Sequence, residues 1–186
     1  YEIFVAEVAS TVNETLLTHH LLDTVEDERV RRHVLNQYLE RFRSTLFRQT
    51  MFAEFEQRAH ELSAEGEALT GDRLDALYRD LKGDYYEPAV LDDRIAREWM
   101  RIPHFYYSFY VYQYSTGIAA AVALVEAIRE EGDSAARRYR EFLQRGSHGY
   151  PLELLGDAGV DMTDSQPIEQ ATDVYDQYLD EFEQLS

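Results

Sequence analysis

Cysteine is absent from the 186 residues, which excludes disulfides and thiolate metal sites and fits a reducing cytoplasm. Lysine is nearly absent: Lys82 stands alone against seventeen arginines. Acidic residues number 36 and the net charge is −18. A surface this acidic repels nucleic acid and anionic membranes, so neither is an expected partner. Scarce lysine with abundant carboxylate points to a halophilic protein, whose self-repulsion concentrated salt screens; the competing reading is an acidic protein from a GC-rich genome. Tyr1-Glu2-Ile3 shows neither a basic leader nor a Met, so no signal peptide is expected, and the chain reads as a piece of something longer.

Proline and glycine are also few, at four and nine. Between them helical periods dominate, and no strand pattern, internal repeat or low-complexity linker stands out. The fold class is therefore all-α, over residues 1–186 as one unit. The spacing predicts a helix over Ile3–Leu22 and a break at Asp23-Thr24 that caps the next helix. That helix is expected to run over about 26–62, with a shorter one over 72–81 that stops at Gly83. Asp92 or Asp93 is expected to cap a helix to Arg101. His104 then opens a long helix over 105–131, closed by Gly132, and Asp133 or Ser134 caps the next one to Arg145. One or two turns follow Pro151, and a last helix starts at Pro167. The longest uncharged run, 102–125, has the length of a membrane span, but five tyrosines, His104, Pro103 and Gln113 argue for a buried helix or a site wall. From Gly146 onward there are ten acids and no Lys or Arg, which reads as a solvated face.

Two groups of residues carry candidate chemistry. Glu7 lies among Phe4, Val5, Ala6, Val8 and Ala9, with Glu14 two turns later on the same face and Ser10 between. A carboxylate in apolar surroundings needs a partner or a metal; the other reading is an exposed Glu on the polar stripe of an amphipathic helix. The second group is His104 with Tyr106, Tyr107, Tyr110, Tyr112 and Tyr114. On a continuous helix, Tyr107, Tyr110 and Tyr114 share a face, where phenols donate to an oxyanion and rings line a peptide cleft. An aromatic stripe is usually core, but a pure core favours Phe or Leu over hydroxyls that each need a partner. Adjacent His19-His20 diverge on a helix. His60-Glu61 begins like HExxH, but Ala64 stands where the second histidine belongs. There is no G-x-S-x-G, P-loop or dinucleotide fingerprint.

The stretch Phe4-Val5-Ala6-Glu7-Val8-Ala9-Ser10-Thr11-Val12-Asn13-Glu14 resembles the downstream glutamate motif of the oligoendopeptidase F branch of the thimet-type zinc metallopeptidases. Phe47 to Glu56, Ile102 to Tyr106, Phe109 to Gly117, Tyr150 to Leu155 and Ala158 to Met162 look like the same branch, in order along nearly the whole chain. The resemblance implies a largely helical enzyme with a deep cleft, cutting short peptides with one zinc ion held by HExxH and a later glutamate. Glu7 would then be the third zinc ligand, and Glu14 would support the site. His104, Tyr107 and Tyr114 would be the catalytic, oxyanion-stabilising residues, with Tyr106 and Tyr110 binding substrate. The chain holds no HExxH, which the family places shortly before the glutamate motif, hence upstream of residue 1. One carboxylate does not make a catalytic zinc site, which takes three protein ligands. The chain is thus expected to be the C-terminal part of one catalytic domain, inactive without its N-terminal part. The alternative is a non-catalytic helical module that binds peptides in the tyrosine groove.

Overall fold

A computed structural model describes residues 3–146 and 148–185, with side chains from Phe4 onward. Every regular element among them is helical. The chain divides into two compact units, Tyr1–Leu46 with Gln113–Ser186, and Phe47–Tyr112.

The first unit holds α1 (Ile3–Thr24), α2 (Glu28–Arg41), α5 (Tyr112–Glu131), α6 (Asp133–Arg145), α7 (Pro151–Ala158) and α8 (Gln166–Gln184). Helix α1 buries Val5, Val8 and Val12, spaced at three and four residues, against Ala120, Ala121, Leu124 and Val125 of α5 and Tyr139, Phe142, Leu154 and Leu155 beyond. The centre of α5 is buried on all sides from Gly117 to Val125, which explains why this run is so apolar. No helix among the described residues is long and apolar enough to cross a membrane. A second packed group joins α1, α2 and α8, where the rings of His19, Tyr38 and Tyr178 meet edge to face. Tyr178 Oη lies 2.9 Å from His19 Nδ1, and Tyr38 Oη 3.4 Å from Nε2. Burial, with a further push from Arg129 and against the pull of Asp23, lowers the His19 pKa to about 4. Its 3.9 Å approach to Glu126 is therefore between a carboxylate and a neutral ring at pH 7.

The second unit holds α3 (Arg48–Ala64), α4 (Gly71–Tyr86) and two 3-10 segments, Asp93–Arg101 and Pro103–Tyr107. Met51, Phe52 and Phe55 of α3 pack on Leu77, Tyr78 and Leu81 of α4 and on Val111. Beside this core sits Glu98, 7% exposed, whose carboxylate accepts from Tyr78 Oη at 2.8 Å, Lys82 Nζ at 3.0 Å, Arg101 at 3.0 Å and Arg48. Burial alone pushes this carboxyl up, but the hydrogen bonds from Tyr78, Arg101 and Lys82 override it and hold the pKa at about 2. The chain's one lysine is thus buried in an ion pair. Trp99 lies next in sequence, and its indole N–H donates to Asp75 at 2.8 Å.

Several boundaries differ from the sequence expectation. Helix α1 runs through Asp23-Thr24, with Thr24 Oγ1 donating back to His20 O; the cap of α2 is Asp27, which accepts from the amides of Arg29 and Val30. The helix expected over 26–62 is interrupted by a π-helical turn, Phe42–Phe47. Gly83 does not stop α4: its φ is not positive, and the helix continues through it to Tyr86. Gly132, not Asp133 or Ser134, occupies the cap position of α6, with φ +64. The long helix expected over 105–131 starts only at Tyr112. Before it, Ser108 and Phe109 take φ +43 and +53, a left-handed backbone that costs a non-glycine residue ~1–3 kcal/mol. The physical reason is a competing acceptor. The Phe109 N–H, which an α-helix would send to Phe105 O, donates to Glu56 Oε1 at 2.7 Å.

Candidate functional site

In the first unit, α1 presents Glu7, Ser10, Thr11 and Glu14 along one face, at positions three, four and seven residues apart. With Arg41, Thr45, Tyr114, Gly117 and Ile118 they line a pocket of about 250 Å³. Ser10 Oγ donates to both the backbone oxygen and Oε2 of Glu7, each at 3.0 Å, which holds the carboxylate down on its own helix turn. Among the described residues no cation pairs with Glu7, whereas Arg41 pairs with Glu14 at 3.1 Å. A second guanidinium nitrogen, Arg41 Nη1, is buried and without a partner. Glu7 is exposed, as its place on the polar stripe implies, and that solvent-facing stripe also forms a pocket wall. Gly117 lies in this wall with open space beside it: a Cβ there would meet no heavy atom within 4 Å.

In the second unit, His104, Tyr107 and Tyr110 come together by a different route from the one expected. They do not lie on a helical face shared with Tyr114, because the chain folds as a 3-10 turn from Pro103 and then bends at Ser108-Phe109. The bend stacks the His104 ring on Tyr110 at 5.6 Å and 16°, and sets Tyr107 against Tyr110 at 5.9 Å. Tyr107 is 67% exposed and Tyr106 88%, so these phenols are surface groups available to a ligand, not core. Tyr114 sits in the first turn of α5, on the pocket wall with Glu7 and Glu14.

The metal-ligand chemistry is incomplete within the chain. No group of three His, Cys, Asp or Glu able to hold a metal ion occurs among the described residues. A free carboxylate steadied by a neighbouring hydroxyl does fit one position of a three-ligand zinc site. His60, on α3, packs its ring against Phe109 at 4.6 Å, which gives the HExxH look-alike a packing role. Arg41 was not singled out from the sequence, since nothing local marks its pairing with Glu14. Glu56 was not singled out either; a glutamate on the apolar side of α3, beside Met51, Phe52 and Phe55, was the available signal.

The sequence profile of peptidase family M3 matches residues 1–174. Oligopeptidase PepF of Bacillus subtilis (strain 168) is 53% identical over 186 residues, which are 100% of this chain and 28% of that protein. The plasmid-encoded oligoendopeptidase F of Lactococcus lactis subsp. cremoris is 46% identical over the whole chain and 31% of its own length. The crystal structure of oligoendopeptidase-F from Enterococcus faecium superposes with a TM-score of 0.94 at 48% identity, covering 100% of this chain and 36% of that one. The chain therefore spans about a third of its relatives or less. The match along almost its entire length makes it a member of peptidase family M3.

Proposed function

We propose that this chain is the C-terminal part of a zinc-dependent oligoendopeptidase that hydrolyses short peptides. The supporting observation is the Glu7 carboxylate, uncompensated by any described cation and held by Ser10 at a pocket shared with Tyr114, in a member of peptidase family M3. Glu7 would hold the zinc ion together with an HExxH segment lying upstream of this chain. The chemistry a zinc ion supplies when bound is polarisation of the scissile carbonyl and activation of a water. Glu14 is held by Arg41 and sets the electrostatics beside Glu7. Within their own units, Tyr114 and, separately, Tyr107 with His104 are the groups suited to donate to an oxygen that gains charge in a tetrahedral intermediate. Tyr106, which is exposed, and Tyr110, half-buried against His104, bind the peptide through their rings and hydroxyls. The test is metal content. In the full-length protein, Glu7→Ala abolishes tight zinc binding measured by elemental analysis after dialysis; a full zinc complement in that variant overturns the ligand assignment.

A further inference from the structure

Glu56 is a carboxylate in the wrong place for stability. It is 4% exposed, it lies on the face of α3 that carries Met51, Phe52 and Phe55, and no cation pairs with it among the described residues. Oε1 accepts the Phe109 amide at 2.7 Å, and Oε2 is buried without a partner. An isolated buried carboxylate is costly, and one backbone amide does not offset that cost. What the bond does secure is the bend. Ser108 and Phe109 are both left-handed, neither is glycine, and an unrestrained chain would leave that conformation. One turn along the same face, His60 holds the Phe109 ring at 4.6 Å. Glu56 and His60 thus grip Phe109 by its backbone and by its side chain. On either side of the gripped bend stand Tyr107 and Tyr110, whose rings meet at 5.9 Å.

We infer that Glu56 is a positioning residue: it clamps the strained Ser108-Phe109 bend and so fixes the placement of Tyr107 and Tyr110 toward a peptide. The inference rests on the reading of the intact protein as a peptidase, and it deepens that reading. Gln at position 56 keeps an acceptor for the Phe109 amide, whereas Leu keeps the volume and removes the acceptor. In the full-length protein, amide hydrogen exchange at Phe109 is expected to speed up at least about tenfold in Glu56→Leu and to stay within about threefold of wild type in Glu56→Gln. Peptide hydrolysis is expected to follow the same order, with kcat down at least about tenfold in Glu56→Leu, a smaller change in KM, and rescue by Glu56→Gln. Unchanged exchange in Glu56→Leu overturns the clamp. Faster exchange with unchanged kcat overturns its role toward substrate. A wild-type protein that cleaves no peptide overturns the peptidase reading instead, and the exchange measurement still decides the clamp. Should Glu56→Leu fail to fold, His60→Ala, on the exposed side of the same grip, is expected to raise Phe109 exchange at least about threefold. No rise there also overturns the clamp.

Discussion

Replacing Glu98 by Gln is expected to destabilise the unit Phe47–Tyr112 by about 3 kcal/mol at pH 7. The substitution keeps the shape and removes the charge. It leaves Lys82, 6% exposed, without its counter-charge, and weakens the bonds from Tyr78, Arg48 and Arg101. Two routes give the same size. Breaking a buried ion pair on one side costs ~3–5 kcal/mol. A carboxyl that titrates at about 2 in place of 4.5 is favoured in its charged form by about 3 kcal/mol. The sign follows from the depressed folded-state value. The contribution is fully present above pH 4.5 and is lost as pH falls through about 2. Urea unfolding followed by Trp99 fluorescence reports on the same unit, because the indole is hydrogen-bonded to Asp75 inside it. Wild type and Glu98→Gln should differ at pH 7 and converge toward pH 2. Adding Lys82→Met to Glu98→Gln should recover part of the loss by removing the stranded ammonium. A Glu98→Gln variant within about 1 kcal/mol of wild type at pH 7, or one equally destabilised at every pH, would refute the reasoning.

Other outcomes follow from the same geometry. His19 titrates at about 4 in the folded state, so stability held above pH 6.5 is lost as pH falls from 6.5 through 4, by up to about 3 kcal/mol. Tm measured from pH 7.5 to 4 should show this slope in wild type and a shallower one in His19→Gln; parallel curves would remove His19 as the cause. Tyr114→Phe in the full-length protein is expected to lower kcat far more than it raises KM, and an unchanged kcat would take Tyr114 out of oxyanion stabilisation. With a net charge of −18, Tm should climb with KCl up to molar levels, and a flat profile would count against the halophilic reading.

Much of the fold was legible because amphipathic helices write their period into the sequence. Val5, Val8 and Val12 face the core as spaced, and Gly132 and Pro167 mark ends where the backbone needs them. Glu7, Glu14 and Tyr114 meet at one pocket, which the shared face of α1 already implied for the two acids. The bend at Ser108-Phe109 was not legible. Nothing in a run of aromatic residues distinguishes a continuous helix from a broken one, and the group that breaks it, Glu56, lies 53 residues earlier. The π-helical turn was hidden for a related reason. It keeps the helical hydrophobic stripe going and shows only as a longer step, from Leu46 to Met51.

The burial of Lys82 reaches beyond stability. It leaves the described surface with guanidinium groups as its main cationic side chains and its one side-chain primary amine almost wholly withdrawn from solvent. Amine-directed acylating reagents therefore find their one lysine target in this chain only when the surrounding unit opens. The labelling rate becomes a meter of that opening, slowing about tenfold for every 1.4 kcal/mol of opening free energy. A residue that looks like a chemical blank on the surface thus serves as an internal gauge of how often the interior is unlocked.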